Sequence, residues 1–203
     1  MKNFNYPQHI FNQPYDYQNC ITSDIRSIIH CINLLGKDLV GLELGVWEAE
    51  SFMTILHNCP NVKTLYGIDS YQPYADFMKE PYNENSDFIV DYKKADLIKG
   101  HAQNKLKYSG MGEKIVFYEM DSDDALKKFE PESLDFIFID TCVTYEQAKN
   151  DIQSWFPIIK KGGLFAGHDW HCSAVQLAVN EFRIENNIDN FMSVYDRTWC
   201  WIK

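Results

Sequence analysis

The chain has 203 residues with 19 basic and 29 acidic side chains, a net charge of −10. That length is one domain, or one domain with a small appendage, and the acidity gives phosphate backbones nothing to bind, which excludes general nucleic-acid binding. Hydrophobic residues make up 45% of the chain, enough for a core and too many for wholesale disorder, yet no apolar run approaches the ~20 residues of a membrane span.

No basic stretch followed by an apolar one opens the chain, so a secretory signal is not expected and a cytoplasmic location is. Successive cysteines among Cys20, Cys31, Cys59, Cys142, Cys172 and Cys200 are 11 to 83 residues apart, with no CxxC. Reduced, individually placed thiols fit that compartment; three disulfides are the alternative.

In chain order, the first ~20 residues read as irregular, with Pro7 and Pro14 breaking any helix. Thr22 or Ser23 could cap a helix in which Ile25, Ile28, Ile29, Ile32 and Leu35 keep the helical period and Gly36 ends it. Residues 1–35 thus form an irregular segment and cap helix, and 36–203 the main domain. There strands and helices alternate. Strands are expected at 39–44, 62–68, 114–119, 134–140 and 164–167, the last after a turn at 160–163. Helices are expected through Phe52, Ile55 and Leu56, then at 86–108, 122–129, 145–156 and 173–187. A terminal hairpin pairs 192–195 with 198–202. Residues 71–95 interrupt the rhythm with Tyr71, Tyr74, Phe77, Tyr82, Phe88 and Tyr92, either a substrate lid or an ordinary satellite cluster. This alternation implies an α/β fold with a parallel sheet covered on both sides, and such sheets bind ligands beyond their carboxyl ends.

The strand exits carry the chemistry. The first reads Glu43-Leu44-Gly45-Val46-Trp47-Glu48-Ala49-Glu50-Ser51, in which Gly45 permits a sharp turn and close backbone approach and Ala49 is small. A carboxylate at Glu43 is costly in a buried strand without a partner. Asp69 ends the second strand 20 residues after Ala49, where nucleoside-binding βαβ units place a ribose-binding acid; a turn or helix cap is the plainer reading. Asp121 and Ser122 leave the third strand, Asp140 the fourth, His168 and Asp169 the fifth.

Together these motifs resemble the class I S-adenosylmethionine (SAM)-dependent methyltransferases. The run from Phe138 through Asp140, Tyr145, Asp151, Trp155 and Gly162-Gly163 to His168-Asp169-Trp170 is similar to methyltransferase family 24, itself similar to the catechol and macrolide-sugar O-methyltransferases. The resemblance covers about 36–203. It implies a Rossmann-like three-layer αβα sandwich with a mostly parallel sheet and a C-terminal antiparallel hairpin. It also implies SAM as cofactor. Gly45, Trp47 and Ala49 would line its methionine part, with Glu43 and Ser51 holding the loop or the ammonium and carboxylate. Asp69, followed by Ser70, would take the ribose, and Asp121 and Ser122 the adenine; a helix N-cap is the other reading of that last pair.

Asp140, His168 and Asp169 are implied as ligands of a divalent cation, Mg²⁺ or Mn²⁺, that orients a substrate hydroxyl. The metal-free alternative leaves Asp140 on cofactor or substrate and His168 as general base. Relatives commonly read Asp-Gly-Asp-His-x-Tyr at the fourth strand's exit, where this chain has Asp140-Thr141-Cys142-Val143-Thr144-Tyr145. Val143 stands where a His or Lys is usual and Cys142 where a carboxylate is, which implies a different substrate, a base shifted to His168 or His171, or lost activity. The function implied is O-methylation of a small-molecule hydroxyl, of sugar or natural-product type. A non-catalytic SAM-binding scaffold and a nucleotide-dependent oxidoreductase are the rivals. A small-molecule substrate and a homodimer partner are expected; nucleic acid and membrane are not.

Overall fold

The computed structural model describes residues 25–72, 95–141 and 144–203. Within them lie α1 (Arg26–Leu35), β1 (Leu39–Leu44), α2 (Glu50–Asn58), β2 (Val62–Asp69), α3 (Ala95–Tyr108), β3 (Ile115–Glu119) and α4 (Ser122–Leu126). These are followed by β4 (Leu134–Ile139), α5 (Tyr145–Trp155), β5 (Ile159–Gly167), α6 (Ser173–Glu185), β6 (Ser193–Tyr195) and β7 (Thr198–Ile202).

One seven-stranded sheet runs in the order β3-β2-β1-β4-β5-β7-β6. The first five are mutually parallel; β7 is antiparallel to both β5 and β6. Strands this apolar can be buried on both faces only if each face is covered, and two separate clusters cover them. On one side Phe136, Phe138, Leu164 and Ala166 pack with α1, α2 and α3. On the other Leu42, Leu44, Ile137 and Phe165 pack with α5 and α6. The architecture is the α/β sandwich that the strand-helix alternation predicts, with the C-terminal antiparallel pair in place. Among the described residues no helix is long and apolar enough to cross a membrane.

Register decides where the functional edge lies. Leu44 is level with Ile68 on one side and Ile139 on the other, and Ile139 with Gly167. Gly45, Asp69, Asp140 and His168 therefore leave the sheet at one level. Between β1 and β4 the strand order changes direction, which opens a crevice there.

Three local expectations shift. Gly112–Lys114 forms a 3₁₀ turn, so β3 begins at Ile115. The helix at 122 ends at Leu126 rather than 129. The turn expected at 160–163 is instead part of β5: Gly162 takes φ +80 and donates to the Lys203 carbonyl at 2.8 Å, while Lys203 N–H donates to Gly163 O at 2.9 Å. The chain's own end supplies the hydrogen bonds that keep this glycine pair in the sheet, a partner 40 residues distant that local pattern does not reveal. Helix α1 ends at Gly36 as expected; Thr22, Ser23 and most of 71–95 lie outside the described residues. Among the described residues Cys31 and Cys200 bring their Sγ atoms to 3.9 Å without a disulfide, and Cys20 and Cys142 lie outside the described residues.

Helix α1 joins the core through Ile28, Ile29 and Ile32, and through Ser27, whose hydroxyl meets that of Thr198 in β7 at 2.7 Å. In the sheet's centre the Phe136 ring covers Gly41, filling the space a side chain there would need. Phe136→Ala empties that space at a fully buried site and is expected to lower unfolding free energy by about 3–5 kcal/mol, read from urea unfolding curves.

Candidate functional site

At the β1 exit, Gly45 has φ +79, and a β-carbon on it would stand 2.0 Å from the Asp140 carbonyl oxygen. The exits are stitched together by Gly45 N–H to Ile68 O at 2.9 Å, Asp140 N–H to Leu44 O at 2.8 Å and His168 N–H to Ile139 O at 2.9 Å. Past Gly45 the loop turns through Trp47 at φ +49 and Ala49 at φ +62. Two non-glycine residues in the left-handed region cost about 1–2 kcal/mol each, strain of the kind that collects at ligand sites.

Asp69 holds this loop in shape. Its Oδ2 accepts the Val46 and Trp47 N–H groups at 2.9 and 2.8 Å, and its Oδ1 accepts Tyr71 N–H at 2.7 Å. The Tyr71 hydroxyl donates to Trp47 O at 2.9 Å. The acid read from sequence as a ribose acceptor thus also shapes the glycine loop, and one lone pair on Oδ1 remains for a hydroxyl donor. Burial pushes its pKa up, against the pull of these three N–H groups. Ser70 accepts Gln72 N–H in the turn that follows.

Glu43 is fully buried beneath the loop. Ser51 donates to its Oε1, while Oε2 has no hydrogen-bond partner among the described residues. Burial raises its pKa well above the carboxylate range; Ser51 and His168 oppose this, and Asp140 and Asp69 add to it. A buried acceptor without a donor is costly, and a ligand donor or cation would relieve it.

Asp140, His168 and Asp169 converge across β4 and β5. His168 Nδ1 lies 3.4 Å from Asp140 Oδ1 and 3.2 Å from Asp169 Oδ1, and one ligand atom from each of the three residues falls within 4.8 Å of the others. All three are partly buried. His171 Nδ1 stands 3.8 Å from Asp169 but is largely exposed. Trp199 Nε1 donates to His168 O at 3.0 Å and fixes the backbone there. Burial would lower the His168 pKa, but hydrogen bonds and charges from both aspartates outweigh it and raise it to about 10.

Asp121 occupies the N-cap position of α4 without a side-chain capping bond. Ser122 Oγ donates to Asp151 at 3.0 Å. Asp151 was not among the expected site residues, yet it is fully buried and also accepts Thr141 Oγ1–H at 2.7 Å and Gln147 Nε2–H at 3.0 Å. Its sequence signal is an acid on the apolar stripe of α5, among Ala148, Ile152 and Trp155. The departures at Cys142 and Val143 lie outside the described residues.

Two measurements check this geometry. Gly45→Ala must displace the Asp140 peptide, so the variant is expected to lose at least about 2 kcal/mol of unfolding free energy, seen by urea titration. The folded pKa of His168 lies above its unfolded value of about 6.5, so its stabilisation is full below that pH and is lost as pH climbs toward about 10. In chelator-treated protein, stability should decline across that window, and His168→Gln should flatten the decline.

A family model described as a methyltransferase domain matches residues 42–170, from the middle of β1 to just past the His168-Asp169 pair. Comparison with curated protein sequences finds no match. Among solved structures, the O-methyltransferase NovP is 20% identical with a TM-score of 0.65, covering 88% of this chain and 78% of that one. Precorrin-6y C5,15-methyltransferase from Geobacter metallireducens GS-15 is 14% identical with a TM-score of 0.60, covering 92% of each chain. Cofactor-bound Rv0187 from MTB is 12% identical with a TM-score of 0.59, covering 90% and 81%. At these identities the structural likeness establishes the shared fold, while the family model spans the exits of all five parallel strands. The chain belongs to the methyltransferase-domain family.

Proposed function

We propose that this protein transfers the methyl group of SAM to an oxygen of a small hydroxylated metabolite, of sugar or natural-product type, at a site where Asp140, His168 and Asp169 hold Mg²⁺ or Mn²⁺. The observation that carries the reading is the arrangement at one sheet edge of a buried, half-satisfied carboxylate, Glu43, and a carboxylate-imidazole-carboxylate cluster.

The residues present fit both groups. The unpartnered Oε2 of Glu43 suits an ammonium donor, and Gly45 leaves the backbone bare beside it. Two carboxylates and one imidazole form a hard, oxygen-rich donor set of the kind magnesium and manganese prefer. When bound, SAM supplies an electrophilic methyl on a sulfonium, and the cation lowers the pKa of a coordinated hydroxyl.

The chain's own contribution is binding, orientation and charge. Glu43 accepts the ammonium, Gly45, Trp47 and Ala49 line the methionine portion, and Ser51 keeps Glu43 aligned. Asp69 turns its remaining Oδ1 lone pair to the ribose, beside Ser70. Asp121 and Ser122 border the adenine end. The two aspartates beside His168 raise its pKa to about 10, which disfavours it as a metal-free general base at neutral pH. Most of the rate then comes from positioning and electrostatics.

Calorimetry with S-adenosylhomocysteine should show one site, with Kd between about 1 µM and 1 mM; absence of binding sinks the cofactor assignment. Asp169→Ala should weaken Mn²⁺ binding at least about 100-fold while S-adenosylhomocysteine affinity stays within about threefold. Identical Mn²⁺ traces for wild type and Asp140→Ala would remove the metal. Transfer of labelled methyl groups to a panel of hydroxylated sugars and phenols identifies the acceptor.

A further inference from the structure

Among the described residues only two acids are fully buried, Glu43 and Asp151. Glu43 faces the site; Asp151 lies behind it, in α5, where nothing in the proposed chemistry requires a charge. Its hydrogen-bond partners are all neutral: the hydroxyls of Ser122 and Thr141 and the amide of Gln147. Burial raises its pKa, the three donors pull it back, and nearby Asp123 pushes it up again.

For stability alone such a group is a poor choice. Removing a carboxylate from water without a counter-charge is expensive, and an apolar side chain of similar volume fills a helix-sheet interface at lower cost. What the carboxylate does is join two loops from different strands. Ser122 opens α4 directly after Asp121, at the exit of β3. Thr141 follows Asp140, the peptide that packs on Gly45, and shares a cavity of about 20 Å³ with His168 and Asp169. Asn150 Nδ2 reinforces the joint by donating to Asp123 Oδ1 at 2.9 Å.

We infer that Asp151 is a positioning residue, whose carboxylate sets the 121–122 loop and the 140–141 loop relative to each other and so holds the adenine end and the cation end of the site in one frame. This rests on the proposed methyltransferase reading. An error of about 1 Å in such a frame costs on the order of 100-fold in rate, so a single buried anchor serving both loops has leverage over the whole site. Asparagine can reproduce the geometry, accepting from Ser122 and Gln147 through its oxygen and donating to the Thr141 hydroxyl through its amide.

The test compares full-length wild type, Asp151→Ala and Asp151→Asn, well below their melting temperatures. Hydrogen exchange is measured in ligand-free protein, and calorimetry uses S-adenosylhomocysteine and MnCl₂. Asp151→Ala should raise exchange in peptides spanning 119–124 and 138–141, leave α1 and β7 unchanged, and weaken both ligands about tenfold. Asp151→Asn should return exchange and both affinities to within about threefold of wild type. Wild-type exchange in both loops of the alanine variant, a uniform rise across the chain, or no rescue by asparagine overturns the inference. Should the alanine variant not fold, Thr141→Val is read in the same assays, with faster exchange at 138–141 and weaker Mn²⁺ binding expected, and unchanged values overturning it. A wild type that binds no S-adenosylhomocysteine sinks the methyltransferase reading separately, and exchange alone then decides the role of Asp151.

Discussion

The Asp140 carbonyl oxygen occupies the space where a side chain on residue 45 would begin. Two strands far apart in sequence must therefore release their chains at the same level with their backbones in contact, and only glycine permits it. That contact lies where the strand order changes direction, so the crevice of the doubly wound sheet and the tightest backbone approach coincide. Once the β1 and β4 exits are joined, register carries β2 and β5 to the same height, and Asp69 and His168 arrive with them.

The edge built this way concentrates unfavourable terms. Glu43, Asp69, Asp140 and Asp169 are wholly or partly buried there, with His168 Nδ1 set against the last two. Trp47, Ala49, Tyr71 and Asp169 adopt positive φ at the same edge. Local strain and buried acids in one place are consistent with the cationic groups proposed above, a sulfonium, an ammonium or a divalent cation. Part of the acidity visible in the composition thus has a definite location.

Support for the site is layered behind it. Asp69 and Tyr71 hold the glycine loop from the β2 side, Trp199 fixes the His168 backbone from β7, and Asp151 ties two loops together from α5. The first two use backbone groups of the loop as partners, so the sequence offers Asp69 as a ribose acid or a turn cap without showing that it also holds the glycine loop. A carboxylate's identity is visible along the chain; the N–H groups that converge on it are not. Asp151 was missed for a related reason. An acid on an apolar helical stripe is a detectable anomaly, but two of its three partners stand 10 and 29 residues away, outside its own helix.

By itself, the sequence determined the α/β class, the order of the strands and, to within one residue, the bounds of all but β5, the glycine at the β1 exit and the acids and histidine at the strand ends. These follow from local causes: runs of apolar residues long enough for buried strands, helical spacing between them, and residue types that tolerate or require unusual backbone. Tertiary structure alone decided that 160–163 is strand rather than turn, because its partner is Lys203, 40 residues away. It decided, too, that Asp69 shapes the loop, that Glu43 keeps one oxygen without a donor, and that Asp140, His168 and Asp169 fall within one coordination distance. Each of these depends on the register and proximity of distant segments, which local sequence pattern does not encode.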